Sequence, residues 1–88
     1  MIEKVLTIRN RLGLHAKPSA LFVREAEKFK AQVLVVKDGL QVNGKSVMGL
    51  MLLAAESGAK LTIKAEGPDE SKAVEALEKL FDRKFDEE

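Results

Sequence analysis

The residue best suited to chemistry in this chain is His15, the only histidine among its 88 residues. Gly13 precedes it and Pro18 follows it, and a proline at that distance indicates the first turn of a helix. Imidazole is a nucleophile near neutral pH, and the N-terminus of a helix presents unpaired N–H groups that attract anions. Lys17 adds a cation beside those N–H groups, and Arg11 could add another. This pattern predicts a histidine that carries a phosphoryl group.

The alternative is that His15 is a solvated loop residue without a function, which is the more common fate of a lone histidine. Gly13, Pro18 and Lys17 together favour the phosphate-carrying interpretation. No carboxylate or second histidine lies near in the sequence, so hydrolysis and metal catalysis have little to build on. Cysteine is absent as well, which excludes thiolate metal sites and disulfides. We therefore expect no metal and no cofactor, and a protein that accepts and donates phosphate rather than an enzyme that turns over a small substrate.

The size and composition of the chain limit how it can work. A chain of 88 residues predicts one domain, 1–88, whose modest core leaves no room for an enclosed active site. Chemistry should then occur at the surface, with a second protein closing the site. A net charge of +1 and the absence of Tyr and Trp argue against nucleic-acid binding. Without an apolar run of membrane length or a signal-peptide pattern, we expect no membrane insertion and a cytoplasmic protein.

The hydrophobic pattern predicts the elements that position His15, in the order β-α-β-β-α-β-α. Asp38-Gly39 predicts a type I′ hairpin between two of the strands, because this turn needs positive φ at both central residues. One antiparallel sheet covered on one face by helices satisfies the pattern, which is an α+β fold. The predicted strands are 2–9, 32–37, 40–43 and 60–66, and the predicted helices are 18 to about 30, 47–55 and a third that Asp69 caps and that reaches Lys84, before 86–88 fray.

The first helix carries two stripes at helical spacing. Phe22, Ala26 and Phe29 form the stripe that we expect to face the core. The second stripe is cationic at both ends and apolar between, and it is either an ordinary solvated face or a docking face that begins at His15. Its members are Lys17, Ala20, Leu21 and Arg24.

The second helix is apolar nearly all round, although a short helix on a sheet can bury only one side. We expect Leu50, Leu53 and Ala54 to be buried and a second stripe to be exposed, because methionine suits surfaces that bind several partners. The alternatives are packing against the third helix or a dimer contact. The predicted exposed stripe consists of Val47, Met48, Met51 and Leu52.

Ser46 precedes this helix and is by default its N-cap. A phosphate on Ser46 would be tolerated by the helix dipole and would place negative charge beside the exposed stripe. Such a charge would disturb docking without unfolding the protein.

Two runs, GLHAKPS at 13–19 and NGKSVMGLM at 43–51, together closely resemble the HPr family. HPr proteins are the histidine-containing phosphocarriers of the bacterial phosphoenolpyruvate:sugar phosphotransferase system. The resemblance covers essentially the whole chain, including the Ser57-Gly58-Ala59 turn and the C-terminal helix. It implies an open-faced β-sandwich, in which a four-stranded antiparallel sheet of order 1-4-2-3 lies under three helices.

The resemblance also implies a function. His15 would take phosphate through Nδ1 from enzyme I and donate it to the IIA domains of sugar permeases, with Ala16 and Lys17 stabilising the phosphate. HPr kinase/phosphorylase would modify Ser46. The partner surface would consist of Ala20, Leu21, Arg24, Val47, Met48 and Met51 on a monomer.

One position departs from the family pattern. The family usually has arginine where this chain has Lys17, and lysine offers a mobile point charge instead of a planar fork, so it should orient phosphate less firmly. The alternative function is a regulatory HPr-like protein whose phosphorylation state controls binding to a kinase or to a catabolite-control transcription factor.

Overall fold

A computed structural model describes residues 1–87 and shows four antiparallel strands in the order β1-β4-β2-β3, with helices on one face. This arrangement confirms the predicted α+β class, the strand order 1-4-2-3 and the order of the elements. None of the helices in this range is long and apolar enough to cross a membrane. The elements are β1 Ile2–Thr7, α1 Ala16–Ala26, β2 Gln32–Lys37, β3 Leu40–Asn43, α2 Val47–Leu52, β4 Lys60–Glu66 and α3 Glu70–Asp82, followed by a short turn at Lys84–Asp86.

The central strand β4 shows why the sheet can be covered on only one side. Leu61, Ile63 and Ala65 are buried against the helices, whereas Thr62 and Lys64 between them are half-buried on the open face. Successive side chains of a strand point to opposite faces, so this alternation gives the sheet one dry face and one wet face. The core lies between the dry face and the helices, and its fully buried members include Phe22, Val33, Val35, Leu50, Leu77 and Phe81.

The hairpin between β2 and β3 forms as predicted. Asp38 and Gly39 have φ values of 49° and 84°, the two positive angles of a type I′ turn. Lys37 consequently pairs with Leu40, and Val35 with Val42.

The helix bounds differ from the predicted ones. The first residue of α1 is Ala16, so Pro18 lies third in the helix instead of first. The helix ends at Ala26 and continues as a turn to about position 30, in which the N–H of Phe29 still bonds to the carbonyl of Ala26. In α2 the regular helix ends at Leu52, because Ala54 takes a positive φ of 48° that turns the chain away. Ala54 is therefore exposed, and its predicted burial was wrong.

Asp69 stands at the N-cap position of α3, but its side chain does not cap the helix. Its carboxylate instead accepts hydrogen bonds of 2.9 Å from the N–H groups of Lys30 and Ala31. These two bonds, with that from Lys30 the stronger influence, lower the pKa of Asp69 because they stabilise its charged form. Asp69 thereby ties the end of the α1 segment to the start of α3, a contact between residues far apart in the sequence.

The C-terminal end is anchored instead of frayed. The predicted stripe of α3 is buried at Ala73, Leu77, Leu80 and Phe81, whereas Lys84 lies beyond the helix and is exposed. Phe85 is fully buried and its ring centroid lies 4.9 Å from that of Phe81. Residues 84–86 all have positive φ, so the chain turns back towards the body of the protein. The predicted fraying is thus wrong for 86 and 87, and Glu88 lies outside the described residues.

Candidate functional site

His15 is the N-cap residue of α1. Its backbone is extended, with φ −83° and ψ −168°, and its carbonyl accepts the first helical hydrogen bond from the N–H of Ser19 at 3.0 Å. Its imidazole does not cap the helix, and Pro18 has no N–H. The first turn therefore offers the N–H groups of Ala16 and Lys17 next to the ring. The His15 side chain is 37% exposed, so both solvent and a partner can reach it.

The loop that carries His15 is fastened to the segment between α2 and β4. The N–H of Leu14 donates to the carbonyl of Ala55 at 2.9 Å. Gly13 has a φ of +74°, and a Cβ on this residue would overlap the Ala55 carbonyl oxygen and lie 2.9 Å from the Cα of Glu56. The loop can approach this closely only because position 13 carries no side chain.

Gly13→Ala is accordingly expected to lower the free energy of unfolding by roughly 2–4 kcal/mol, since it combines left-handed strain with a backbone clash. Gly58→Ala is the matched control, because Gly58 has a φ of +90° but open space around its Cβ position. That variant should lose only about 1–2 kcal/mol, the cost of the strained angle. Denaturant unfolding measures the free energy of unfolding of both variants. Equal losses in the two would contradict the clash at position 13.

The structure brings a carboxylate to His15 that sequence reasoning did not find. The two oxygens of Glu87 lie 3.2 and 3.3 Å from Nε2 of His15, although the residues are 72 positions apart. Nδ2 of the buried Asn10 donates to the same carboxylate at 3.1 Å and to the carbonyl of Gly13 at 2.6 Å. The sequence holds a signal for the anchor of this segment but none for the contact itself: Phe85 lies four residues beyond Phe81, on the same apolar stripe.

A shallow depression of about 270 Å³ joins His15 to α2. Leu12, Met51 and Glu56 line it together with the imidazole. It is open to solvent and mostly apolar, and within residues 1–87 no group of three His, Cys, Asp or Glu side chains could hold a metal ion. The site thus places an imidazole at the N-terminus of a helix, a position where N–H groups attract anions, at the edge of an apolar surface.

The exposed stripe of α2 lies as predicted at three of its four positions. Met48 is 80% exposed, and Met51 and Leu52 are also exposed. Val47 is half-buried and packs against the core, so its predicted exposure was wrong. Leu50 and Leu53 are buried, as expected.

The neighbouring helix α1 packs against α2 and adds to this surface. Ala20 and Arg24 are exposed, and Leu21 is half-buried with its inner side against the core. We name the six residues together the α1–α2 surface. They are Ala20, Leu21, Arg24, Val47, Met48 and Met51.

Ser46 caps α2. Its Oγ accepts a hydrogen bond of 3.0 Å from the N–H of Gly49, which confirms the predicted cap. Ser46 is half-buried and directly precedes the α1–α2 surface in the chain.

Comparison with known proteins identifies the family. A family model described as the PTS HPr component phosphorylation site matches residues 2–83. The phosphocarrier protein HPr of Treponema pallidum is 46% identical over 88 residues, which is the full length of both chains. The crystal structure of HPr-C-His from Thermoanaerobacter tengcongensis superposes with a TM-score of 0.96 at 48% identity and covers 100% of this chain and 99% of its own.

A regulatory relative is similar as well. The crystal structure of the Bacillus subtilis catabolite repression protein Crh, described as a dimer with a swapped domain, matches with a TM-score of 0.77 at 43% identity. This match covers 96% of this chain and 97% of the Crh chain. Together with the family model and the full-length relatives, these matches show that the chain belongs to the HPr family of phosphocarrier proteins, which are components of the phosphotransferase system and not enzymes.

Proposed function

We propose that this chain accepts a phosphoryl group on Nδ1 of His15 from phosphorylated enzyme I and donates it to the IIA domains of sugar permeases in the cytoplasm. The observation that carries the proposal is the position of His15 at the N-cap of α1, where the N–H groups of Ala16 and Lys17 are unused by its side chain. Membership in the HPr family supports it.

In the transfer step, the lone pair of Nδ1 forms a bond to phosphorus while the bond between phosphorus and the donor atom breaks. The donor atom leaves with that electron pair, and the phosphoryl group keeps its negative oxygens. The N–H groups of Ala16 and Lys17 and the positive end of α1 stabilise this charge without reorganising. The ammonium group of Lys17, which is exposed, adds a mobile cation. The reverse step transfers the group to the next acceptor.

The proposed docking site is the α1–α2 surface. An exposed, methionine-bearing face adapts to partners of different shape, which a carrier between a donor and several acceptors requires. Because the depression at His15 is shallow, each partner would have to supply the remaining walls of the reaction site. A monomer would leave the whole surface free, and the monomeric state stays a prediction.

The test is incubation of the wild-type protein with enzyme I and phosphoenolpyruvate, followed by addition of a IIA domain. We expect one phosphoryl group per chain by intact mass, stable to alkali and labile to acid, as a phosphohistidine is. The group should move to the IIA domain when that is added. A reaction without enzyme I is the control, and a wild-type protein that gains no phosphate in the complete mixture would refute the proposal.

The second candidate function is regulatory, and similarity to Crh together with the position of Ser46 favours it. In this case HPr kinase/phosphorylase would modify Ser46, and the modified protein would bind a catabolite-control transcription factor. If His15 accepts a phosphoryl group but does not transfer it to a IIA domain, this result would favour the regulatory function over sugar transport.

Ser46→Asp is expected to preserve the fold and to weaken binding to enzyme I about tenfold, because it places a charge beside an apolar docking face. Aspartate is itself a good N-cap, so the hydrogen bond from Gly49 should be kept. Titration calorimetry with enzyme I measures the affinity. Ser46→Asn, which caps equally well without a charge, is the matched control, and an equal affinity of the two variants would exclude an electrostatic role for position 46.

A further inference from the structure

Resting on the proposed function, we infer that Glu87 is a positioning residue for the reaction at His15. Its carboxylate holds the proton of the imidazole on Nε2, and this leaves the lone pair on Nδ1, the atom that attacks phosphorus. It also balances the positive charge that the ring acquires during the attack. Glu87 lies outside residues 2–83, the part of the chain that the family model matches.

The geometry fixes Glu87 on one side of the ring. Both carboxylate oxygens lie within 3.3 Å of Nε2. Either oxygen can therefore accept the hydrogen bond from the ring. The Glu87 side chain is only 17% exposed, so water competes weakly for it. Asn10, which is fully buried, donates to one oxygen and ties it to the carbonyl of Gly13 in the histidine loop.

The anchor that delivers Glu87 is Phe85. Its ring is buried against Phe81, and residues 84–86 adopt positive φ values that would be unfavourable in a free C-terminal tail. Burial of the ring offsets this cost. The N–H groups of Asp86 and Glu87, which donate to the carbonyls of Arg83 and Lys84, and the Arg83–Asp86 ion pair also stabilise the turn. This turn places the carboxylate against His15 and not in solvent.

The hydrogen bond determines which tautomer is present. An ionised carboxylate is only an acceptor, so Nε2 must be the donor and carry the proton. A neutral imidazole has one N–H, and Nδ1 is then the unprotonated nitrogen with a free electron pair. A carboxylate that orients a histidine in this way is a recurring arrangement in nucleophilic sites.

The charge balance of the step shows the second contribution. When Nδ1 bonds to phosphorus and the donor atom departs with its electron pair, Nε2 keeps its proton and the ring becomes cationic. Glu87 accepts the hydrogen bond from Nε2–H, so its negative charge lies next to that cation. The incoming phosphoryl group binds the other ring nitrogen, Nδ1. Charge-assisted hydrogen bonds are stronger than neutral ones, so the contact strengthens as the ring becomes cationic during the attack.

The effect should appear in the rate of phosphoryl acceptance. Glu87→Ala is expected to lower kcat for phosphorylation by enzyme I about tenfold, the loss that one partly shielded charge-assisted bond accounts for. KM should change less, because Glu87 is not part of the α1–α2 surface. Glu87→Gln keeps an acceptor oxygen without the charge, so its rate should fall between those of wild type and Glu87→Ala.

Imidazole nitrogen NMR supplies a readout that a merely structural role would not move. With a single histidine in the chain, the two ring nitrogens give an unambiguous spectrum. At a pH where the ring is neutral, wild type should show the Nε2–H tautomer alone. Glu87→Ala and Glu87→Gln should both show a mixture of tautomers, because the glutamine amide can donate to Nε2 as well as accept from it. The matched control is Glu3→Gln, which removes an exposed carboxylate from β1, outside this depression, and should change neither the spectrum nor the rate.

Mixed tautomers in the wild type, or a Glu87→Ala variant with wild-type spectrum and rate, would overturn the inference while leaving the carrier function intact. The carrier function fails separately, when the wild-type protein itself accepts no phosphate.

Discussion

His15→Ala is expected to abolish phosphate incorporation from enzyme I and to leave the fold intact. Alanine has no nucleophilic atom, and no second histidine exists in the chain to replace the imidazole. The N–H groups of Ala16 and Lys17 would remain, but an N–H group can only donate a hydrogen bond to a phosphoryl group and cannot form a covalent bond to phosphorus. The predicted loss is therefore complete and not graded.

The fold should tolerate this change because the imidazole contributes little to packing. It is 37% exposed, it does not cap α1, and its hydrogen bond goes to Glu87. We expect the free energy of unfolding to change by less than about 1 kcal/mol, as is usual for substitutions away from the core. Intact mass after incubation and denaturant unfolding test the two halves of the prediction. Incorporation equal to wild type would place the phosphate on another residue.

Phe85→Ala is expected to lower the free energy of unfolding by roughly 3 kcal/mol, near the lower end of the range for a buried phenylalanine. The ring is fully buried and lies against Phe81, whose own ring meets Phe22 edge to face at 6.2 Å. Part of the lost burial should be offset because the positive φ values of residues 84–86 can relax. For this reason we expect a loss below that of a buried phenylalanine within a regular helix.

The variant should also uncouple Glu87 from His15. Without the ring the turn keeps only local hydrogen bonds and the exposed Arg83–Asp86 ion pair, so we expect the imidazole spectrum of Phe85→Ala to resemble that of Glu87→Ala. Phe29→Ala is the control, because Phe29 is half-buried in the turn that follows α1. We expect this variant to lower the free energy of unfolding by less than half as much as Phe85→Ala. Thermal or denaturant unfolding measures the free energy of unfolding of both variants. Equal losses would show that Phe85 stabilises the protein no more than Phe29 does.

Local rules were enough for most of the sheet, although β1 ends at Thr7 and not at residue 9 as predicted. The alternation at 60–66, the β-branched run at 32–37 and the Asp38-Gly39 turn each depend on neighbouring residues, and all three elements have the predicted bounds. Ser46 was found as a cap for the same reason, since a cap bonds to an N–H three residues away.

The ends of the helices could not be predicted from local rules. The end of α2 depends on Ala54 taking a positive φ, which nothing in the type of this residue signals. The side chain of Asp69 was expected at its own helix, but it bonds to Lys30 and Ala31, 39 and 38 positions away. A carboxylate accepts from whichever N–H groups the fold presents, and periodicity cannot tell near donors from distant ones.

The sequence by itself determined the order of the elements, the hairpin, the presence of a helix directly after His15 and the methionine-bearing stripe that faces solvent. These depend on residue type and short spacing, where steric and capping rules act. Only the tertiary structure decided that Val47 packs inward, that Gly13 contacts the segment after α2, and that Glu87 reaches His15. Each of these is a contact between segments, set by how the elements pack and where Phe85 is buried. His15 acquires its carboxylate partner only when the C-terminal segment packs against the histidine loop.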